Sequence, residues 1–214
     1  TKQLLTAGVF ALTGLLASAT ASASQVSGNA TITINNADFA AANFYGNYIE
    51  THWGASNNTV AIDGNTVGGT TLSLGNVNND MSFSVNTNAT TISYPSSGAY
   101  GRTEQETTMD TVDTTTGQIG LSGAMRINGP GGVLTPYDLR LVKTAGVWNI
   151  STYDNAFGYN DFLQLTSVNE SLNGNGELLL SGDLHITGLW ATMLGADSSV
   201  VGTFNLAPSA VPVP

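Results

Sequence analysis

Hydrophobic and polar residues alternate in short runs along most of this chain. Residues 29–35 read NATITIN, in which Ile32 and Ile34 alternate with threonines, and residues 81–85 read MSFSV. Such period-two runs, interrupted by glycine and asparagine, are typical of β-strands with one buried face. Antiparallel sheets produce this pattern, whereas strands buried on both faces read as continuous apolar runs.

The same alternation predicts further strands at residues 70–74, 138–142 and 147–152. The last two flank the sequence KTAG, which predicts a hairpin turn. Only residues 38–49 and 189–194 favour short helices. We therefore predict an all-β fold, an antiparallel β-sandwich that is jelly-roll-like and has at most short helices.

Two glycine-rich segments are similar to each other. Residues 117–129 read GQIGLSGAMRING and residues 176–188 read GELLLSGDLHITG, with the same alternation of apolar positions. A glycine in the middle of a strand, here Gly123 or Gly182, often marks a bulge or a close backbone approach. We interpret each segment as one long, bent strand. Chance similarity between glycine-rich strands is the alternative, and two copies are too few for a solenoid.

The charge balance excludes one class of partner. The chain has 5 basic and 15 acidic residues, a net charge of −10, 41% hydrophobic residues and no cysteine. A nucleic-acid surface needs clustered cations, which this chain cannot supply, and anionic membranes are disfavoured for the same reason. Enough apolar residues remain for one domain with a sizeable core. Disulfides and thiolate chemistry are excluded because there is no cysteine.

The first 23 residues have the order of a secretory signal peptide. Lys2 precedes an apolar stretch from Leu4 to about Ala17, and Ala21 and Ala23 form an A-x-A cleavage site. The stretch is too short for a comfortable membrane span. The alternative is a buried N-terminal helix. We predict removal of residues 1–23, a single domain at 24–207 and a proline-containing tail at 208–214.

The tail ends in Val211, Pro212, Val213 and Pro214. Together with the signal peptide, this ending resembles the PEP-CTERM family of bacterial secreted proteins, which exosortases process. The resemblance implies a VPxP-type sorting motif read by a sorting enzyme. It also implies an anchor helix and a basic cluster beyond Pro214, in which case the sequence stops before the membrane helix. If the chain ends at Pro214, the protein is simply secreted.

One acidic segment of the chain is a candidate for catalysis. Glu104, Glu106 and Asp110 in TEQETTMD suggest a glycosidase, since two carboxylates that flank a sugar bond can act as acid and base. The alternative is a solvated strand edge or loop, and we assign no catalytic residue. His52 and His185 are far apart and lack a metal-binding spacing.

The candidate ligand site is an aromatic and polar cluster at residues 153–162, YDNAFGYNDF, with a second cluster at 43–53. Aromatic faces together with Asn and Asp side chains suit sugars, and their oxygens also suit calcium, for which nothing else argues. The alternative is a long loop whose aromatic residues seal the edge of the sheet. The candidate ligand-binding residues are Trp53, Tyr153, Asp154, Asn155, Tyr159, Asn160 and Asp161.

These observations predict a secreted, surface-associated protein of the cell envelope or extracellular matrix, with no assigned catalysis and no cofactor. A glycan-binding module that uses the aromatic clusters is the alternative, and a secreted glycosidase is a third hypothesis. Expected partners are exopolysaccharide or other envelope components.

Overall fold

The computed structural model describes residues 24–54, 69–88, 90–92, 102–154 and 157–208. The predicted signal peptide and the predicted sorting motif lie outside the described residues. The described part contains two short helices, α1 (Asn36–Ala41) and α2 (Gly188–Leu194). The strands are β1 (Asn29–Asn35), β2 (Tyr48–Gly54), β3 (Thr70–Thr71), β4 (Asn78–Val85), β5 (Thr90–Ile92), β6 (Arg102–Glu104), β7 (Ile119–Asn128), β8 (Tyr137–Thr144), β9 (Val147–Asp154), β10 (Gly158–Leu172), β11 (Leu178–Ile186) and β12 (Gly202–Ala207).

Eight strands close into an antiparallel barrel, in the order β7-β4-β1-β12-β11-β10-β9-β8, with β8 pairing back to β7. The predicted all-β class with few helices is confirmed. The closed ring differs from the predicted jelly-roll-like sandwich, which would have two separate sheets. Period-two alternation describes one covered face, and that face can line a barrel as well as a sandwich. The pairing of β7 with β8 decides between them.

The apolar positions of the strands fill the barrel interior. In β1, Ala30, Ile32 and Ile34 are buried, and Ile32 lies opposite Met81 on one side and Phe204 on the other. Residues directly opposite each other in an antiparallel pair share a face, so these side chains all point inward. The other large, fully buried side chains of the core include Phe39, Phe83, Met109, Ile119, Trp148 and Phe162.

Strand β7 bends at its middle glycine. Its first half pairs with β4, and its second half pairs with β2, which pairs in turn with the short β3. Strands β2 and β3 are therefore not part of the eight-stranded barrel. Gly123 has φ of +131°, and a side chain there would collide with the carbonyl oxygen of Trp53. In the similar segment, a Cβ at Gly182 would come within 2.7 Å of the Thr166 carbonyl oxygen. As predicted, each segment forms one continuous strand, and a close backbone approach occurs at both glycines.

The β8–β9 hairpin forms where the sequence predicted it. Ala145 and Gly146 connect the strands and have φ of +50° and +83°. Positive φ at both central residues gives the turn the twist that a two-residue hairpin needs. The predicted strand at 70–74 is shorter in the structure, which has only Thr70 and Thr71 in β3.

The helices close one end of the barrel. Asn35 caps α1 by accepting a 3.0 Å hydrogen bond from the backbone N–H of Ala37. The predicted helix at 38–49 is wrong beyond residue 41, because Gly46 has φ of +64° and residues 48–54 form β2. Helix α2 agrees with the prediction at 189–194 and ends at Gly195, which has φ of +61°.

Candidate functional site

The candidate ligand-binding hairpin presents its tyrosines on the outer face of the barrel. Tyr153 of β9 lies opposite Tyr159 of β10, and also opposite Tyr137 of β8. The neighbouring core residues Ile150 and Leu163 point into the barrel, so the tyrosines point outward. We call Tyr137, Tyr153 and Tyr159 the tyrosine cluster.

The rings of the tyrosine cluster are in contact. The centroids of Tyr153 and Tyr159 are 5.3 Å apart and nearly perpendicular, at 78°. Tyr137 and Tyr153 are 6.3 Å apart at 52°. Edge-on contacts of this kind favour fixed ring positions. All three residues are half-buried, in contrast to the fully buried aromatic residues of the core.

Trp53 lies beneath this cluster rather than beside it. The sequence singled it out as a ligand-binding residue, but only 2% of its surface is exposed. It packs with Ala124, and Tyr137 covers this pair from outside. The guanidinium of Arg126 lies 5.8 Å from the centre of the Trp53 ring. Trp53 therefore supports the cluster and offers no face to a ligand.

A bulge in β8 brings Tyr137 and Arg140 to the same face. Between these two residues β8 has one residue more than β9, since Tyr137 pairs with Tyr153 and Arg140 with Ser151. Asp138 has φ of +51°, which is unusual for a residue other than glycine. A bulge of this kind redirects side chains at a sheet surface.

Arg140 stacks on the tyrosine cluster. Its guanidinium carbon lies 3.7 Å from the centre of the Tyr159 ring. Nη1 donates a 2.9 Å hydrogen bond to Oε1 of Gln118. Nε is enclosed, and no described residue accepts a hydrogen bond from it. This cation–π contact fixes the plane of the guanidinium against the aromatic ring.

Two acidic side chains are buried next to the cluster. The carboxylate of Asp138 accepts a 2.6 Å hydrogen bond from the hydroxyl of Tyr159 and a 3.0 Å bond from the backbone N–H of Gln105. Glu104, at the end of β6, accepts a 2.8 Å bond from the backbone N–H of Gly123. Burial raises the pKa of Glu104 to about 6, and the charge of Asp138 adds to this. Hydrogen bonds from Gly123 and Ser122 act in the opposite direction.

The segment after Glu104 lies flat against the outside of β7. Asn86 donates from its backbone to Gly120, and Thr107 donates to Asn86. A side chain at Gly120 would collide with the carbonyl oxygen of Gln105. Gly120 is therefore required for this close approach, which carries Glu104 and Gln105 to the edge of the tyrosine cluster.

The other predicted ligand-binding residues separate into two groups. Asp161 shares the outer face with the tyrosines, and its carboxylate accepts a 2.6 Å hydrogen bond from the hydroxyl of Ser151. The amide of Asn160 points elsewhere and donates to the carbonyl oxygens of Phe157 and Gly158, which stabilises the turn. Asn155 and the side chain of Asp154 lie outside the described residues.

The carboxylates of the glycosidase hypothesis differ in their surroundings. Glu104 is 6% exposed, whereas Glu106 is exposed to solvent. Asp110 caps the local backbone by accepting a 2.9 Å bond from the N–H of Val112. Within the described ranges, no group of three or more acidic or histidine side chains is arranged to hold a metal ion.

The two histidines occupy structural positions. His52 packs edge-on against Phe83 at 6.0 Å, and burial lowers its pKa. His185 lies in an open groove of about 400 Å³ between β10, β11 and α2. Its ring nitrogens are 2.7 Å from the hydroxyl of Thr166 and 2.7 Å from the carbonyl oxygen of Ser198. The alternation of Leu184, His185 and Ile186 predicts that His185 points outward. It does not predict the groove in which His185 lies.

Comparison of the chain with known protein families, with curated proteins and with solved structures finds no match. In the part of the chain that the structure describes, no helix is long and apolar enough to cross a membrane.

Proposed function

We propose that this chain is a secreted, surface-associated protein of the cell envelope or extracellular matrix, and that it binds glycan at the tyrosine cluster. The proposal of secretion depends on the order of charge, apolar run and A-x-A in the first 23 residues. The resemblance of residues 211–214 to a sorting motif supports a surface location. Exopolysaccharide is the expected partner.

One observation carries the proposal of glycan binding. Tyr153, Tyr159 and Asp161, all from one hairpin, share the outer face with Tyr137 and Arg140 from the neighbouring strand. Half-buried aromatic rings give the C–H faces of a sugar a surface to pack on. The Asp161 carboxylate and the Arg140 guanidinium supply an acceptor and donors for hydroxyl groups. A few convergent polar groups beside apolar surface are typical of small-ligand sites.

The competing explanation is that the aromatic residues only seal the edge of the barrel. Trp53 has this role, since it is covered by Tyr137. Tyr153 and Tyr159 differ from Trp53 because they remain half-exposed. A glycosidase has less support than a binding protein, because Glu104 is buried and accepts from the backbone of Gly123, whereas Glu106 is exposed to solvent.

Binding of the purified protein to a glycan array tests the proposal. We expect retention of at least one polysaccharide class and a loss of about tenfold or more in affinity for Tyr159→Ala. Leu172→Ala is the control, since Leu172 is 46% exposed and lies at the other end of β10, outside both aromatic clusters. Absence of binding to any glycan would contradict the proposal. Hydrolysis of a polysaccharide that is abolished by Glu104→Gln would replace binding by catalysis.

Secretion and sorting have separate tests. N-terminal sequencing of extracellular protein should begin near Ser24, and recovery of intact Thr1 outside the cell would contradict signal-peptide removal. The gene sequence beyond Pro214 should encode an apolar helix and a basic cluster if the sorting motif is real.

A further inference from the structure

Arg140 differs from the other described cations in its partners. Lys143 forms a 2.7 Å ion pair with Glu170, and Arg126 lies 3.5 Å from a carboxylate oxygen of Glu50. Among the side chains that the structure describes, no carboxylate lies within 4.0 Å of the Arg140 guanidinium. Its recorded hydrogen bond is to Gln118, a neutral side chain. Within the described side chains, Arg140 therefore differs from Lys143 and Arg126 in having a neutral partner.

The environment of Arg140 makes this charge costly. The residue is half-buried, one face of the guanidinium lies on the Tyr159 ring at 3.7 Å, and Nε is shielded from water with no acceptor among the described residues. A guanidinium has five N–H donors, and a desolvated charge with incomplete hydrogen bonding is unfavourable. An anion that accepts from the remaining donors would offset this cost.

The acidic groups nearby are already engaged with other partners. Asp138 accepts from Tyr159 and Gln105, and Asp161 accepts from Ser151. Glu104 is bound to the backbone of Gly123. These carboxylates disfavour an anion that approaches from their side. A carboxylate of the ligand is therefore favoured only where it meets the N–H groups of Arg140. This requirement restricts the orientation in which the sugar can bind.

We propose that the glycan bound at the tyrosine cluster is acidic and that Arg140 pairs with the carboxylate of a uronic acid residue. The sugar ring packs on the exposed part of Tyr159 or Tyr153, and the carboxylate accepts hydrogen bonds from the guanidinium that stacks beside it. Planar, bidentate pairing of this kind is what arginine provides and lysine does not. This inference rests on the proposed glycan binding and names its ligand class.

The test compares polygalacturonate with its carboxyl-reduced, neutral form, using the purified full chain at fixed ionic strength. We expect the acidic polymer to bind about tenfold or more tightly than the neutral one. Arg140→Gln should abolish this preference. Arg140→Lys, which keeps the charge but loses the planar fork, should reduce it, and this milder change serves if the glutamine variant does not fold.

Lys143→Gln is the matched control, because it removes one positive charge from a side chain that points into the barrel and pairs with Glu170. Its preference for the acidic polymer should equal that of the unmodified protein. Equal binding of both polymers, or a preference that persists in Arg140→Gln, would overturn the acidic ligand and leave glycan binding intact. Failure of both polymers and of every glycan on the array would overturn both proposals.

Discussion

The hydroxyl of Tyr159 donates a 2.6 Å hydrogen bond to the buried carboxylate of Asp138, and the guanidinium of Arg140 stacks on the face of the same ring. Together these two contacts fix the position of the Tyr159 ring. Asp138 is fully buried and has a left-handed backbone conformation. Such strain persists only where the surrounding structure holds it, and it is concentrated at functional sites. The hydrogen bond between Tyr159 and Asp138 therefore connects the strained bulge of β8 to the tyrosine cluster.

Removal of this bond should destabilise the protein. We expect Tyr159→Phe to lower the free energy of unfolding by about 1–3 kcal/mol, because a buried carboxylate loses a donor that water cannot replace. Urea unfolding at neutral pH measures the change. Tyr45→Phe is the control and should change stability by less than about 0.5 kcal/mol, since Tyr45 is well exposed. Equal stability of Tyr159→Phe and the unmodified protein would show that the bond is not formed in solution.

The contiguous part of the site could be predicted from the sequence. Tyr153, Tyr159 and Asp161 lie within one hairpin, so a local cluster of aromatic and polar residues was enough to find them. The sequence did not single out Arg140, which the structure places on the Tyr159 ring of the candidate site. The position of Arg140 between the apolar residues Leu139 and Leu141 predicts that its side chain points outward. Only the register of β8 with β9 shows that it lies beside the tyrosine cluster.

The bulge and the barrel closure could not be predicted in the same way. Asp138 adopts positive φ because of its surroundings, and no glycine marks the position. Closure depends on β7 pairing with both β4 and β8, which are contacts between distant parts of the chain. Period-two patterns specify a covered face and leave the number of sheets open. The position of Glu104 likewise depends on a segment that crosses β7.

Glu104 should make stability depend on pH in a defined direction. Its pKa is raised from 4.5 to about 6, so the folded state binds this proton more tightly than the unfolded chain. The favourable contribution is fully present below pH 4.5 and is lost as pH rises through 6. The difference corresponds to about 2 kcal/mol.

A comparison with Glu104→Gln isolates this effect from other titrating groups. The free energy of unfolding of the variant, minus that of the unmodified protein, should rise by about 2 kcal/mol between pH 4 and pH 7.5. Urea titrations at four or five pH values measure it. Glu106→Gln, which changes an exposed carboxylate on the same segment, is the control variant. A flat difference for Glu104→Gln would mean that this carboxyl is solvated in solution.

The interior-facing Lys143 and Trp148 bind one carboxylate at the barrel end away from the helices. Glu170 accepts a 2.7 Å bond from Lys143, a 2.9 Å bond from the indole N–H of Trp148 and a 2.6 Å bond from Thr114. Partial burial raises the pKa of Glu170, but these bonds and the charge of Lys143 outweigh it and leave the pKa below its ordinary value. The stabilisation is present above the ordinary pKa and is lost as pH falls through the folded value.

We therefore expect Glu170→Gln to cost roughly 1 kcal/mol at pH 7 and less in acid, since the partly exposed pair is screened by solvent. Thermal unfolding at pH 7 and pH 3.5 measures the difference. Tryptophan fluorescence, to which Trp53 and Trp190 also contribute, should change at pH 7 when the Trp148 indole loses its contact with Glu170. A variant as stable as the unmodified protein at pH 7 would contradict a stabilising role for the cluster.

Gly123 should be among the least tolerant positions of the chain. Its φ of +131° is unfavourable for any side chain, and a Cβ would meet the Trp53 carbonyl oxygen and lie 2.9 Å from the ring of Phe83. We expect Gly123→Ala to destabilise the protein by about 3 kcal/mol or more, since strain and a backbone clash add together. Gly174→Ala is the matched control, because Gly174 has open space around it. Its effect should be within about 0.5 kcal/mol.

Because Gly123 also donates to Glu104, the same substitution should expose that carboxyl and flatten the pH dependence described above. Tolerance of alanine at Gly123 would mean that β7 does not bend there, and the placement of β2 and Trp53 beneath the tyrosine cluster would then be wrong.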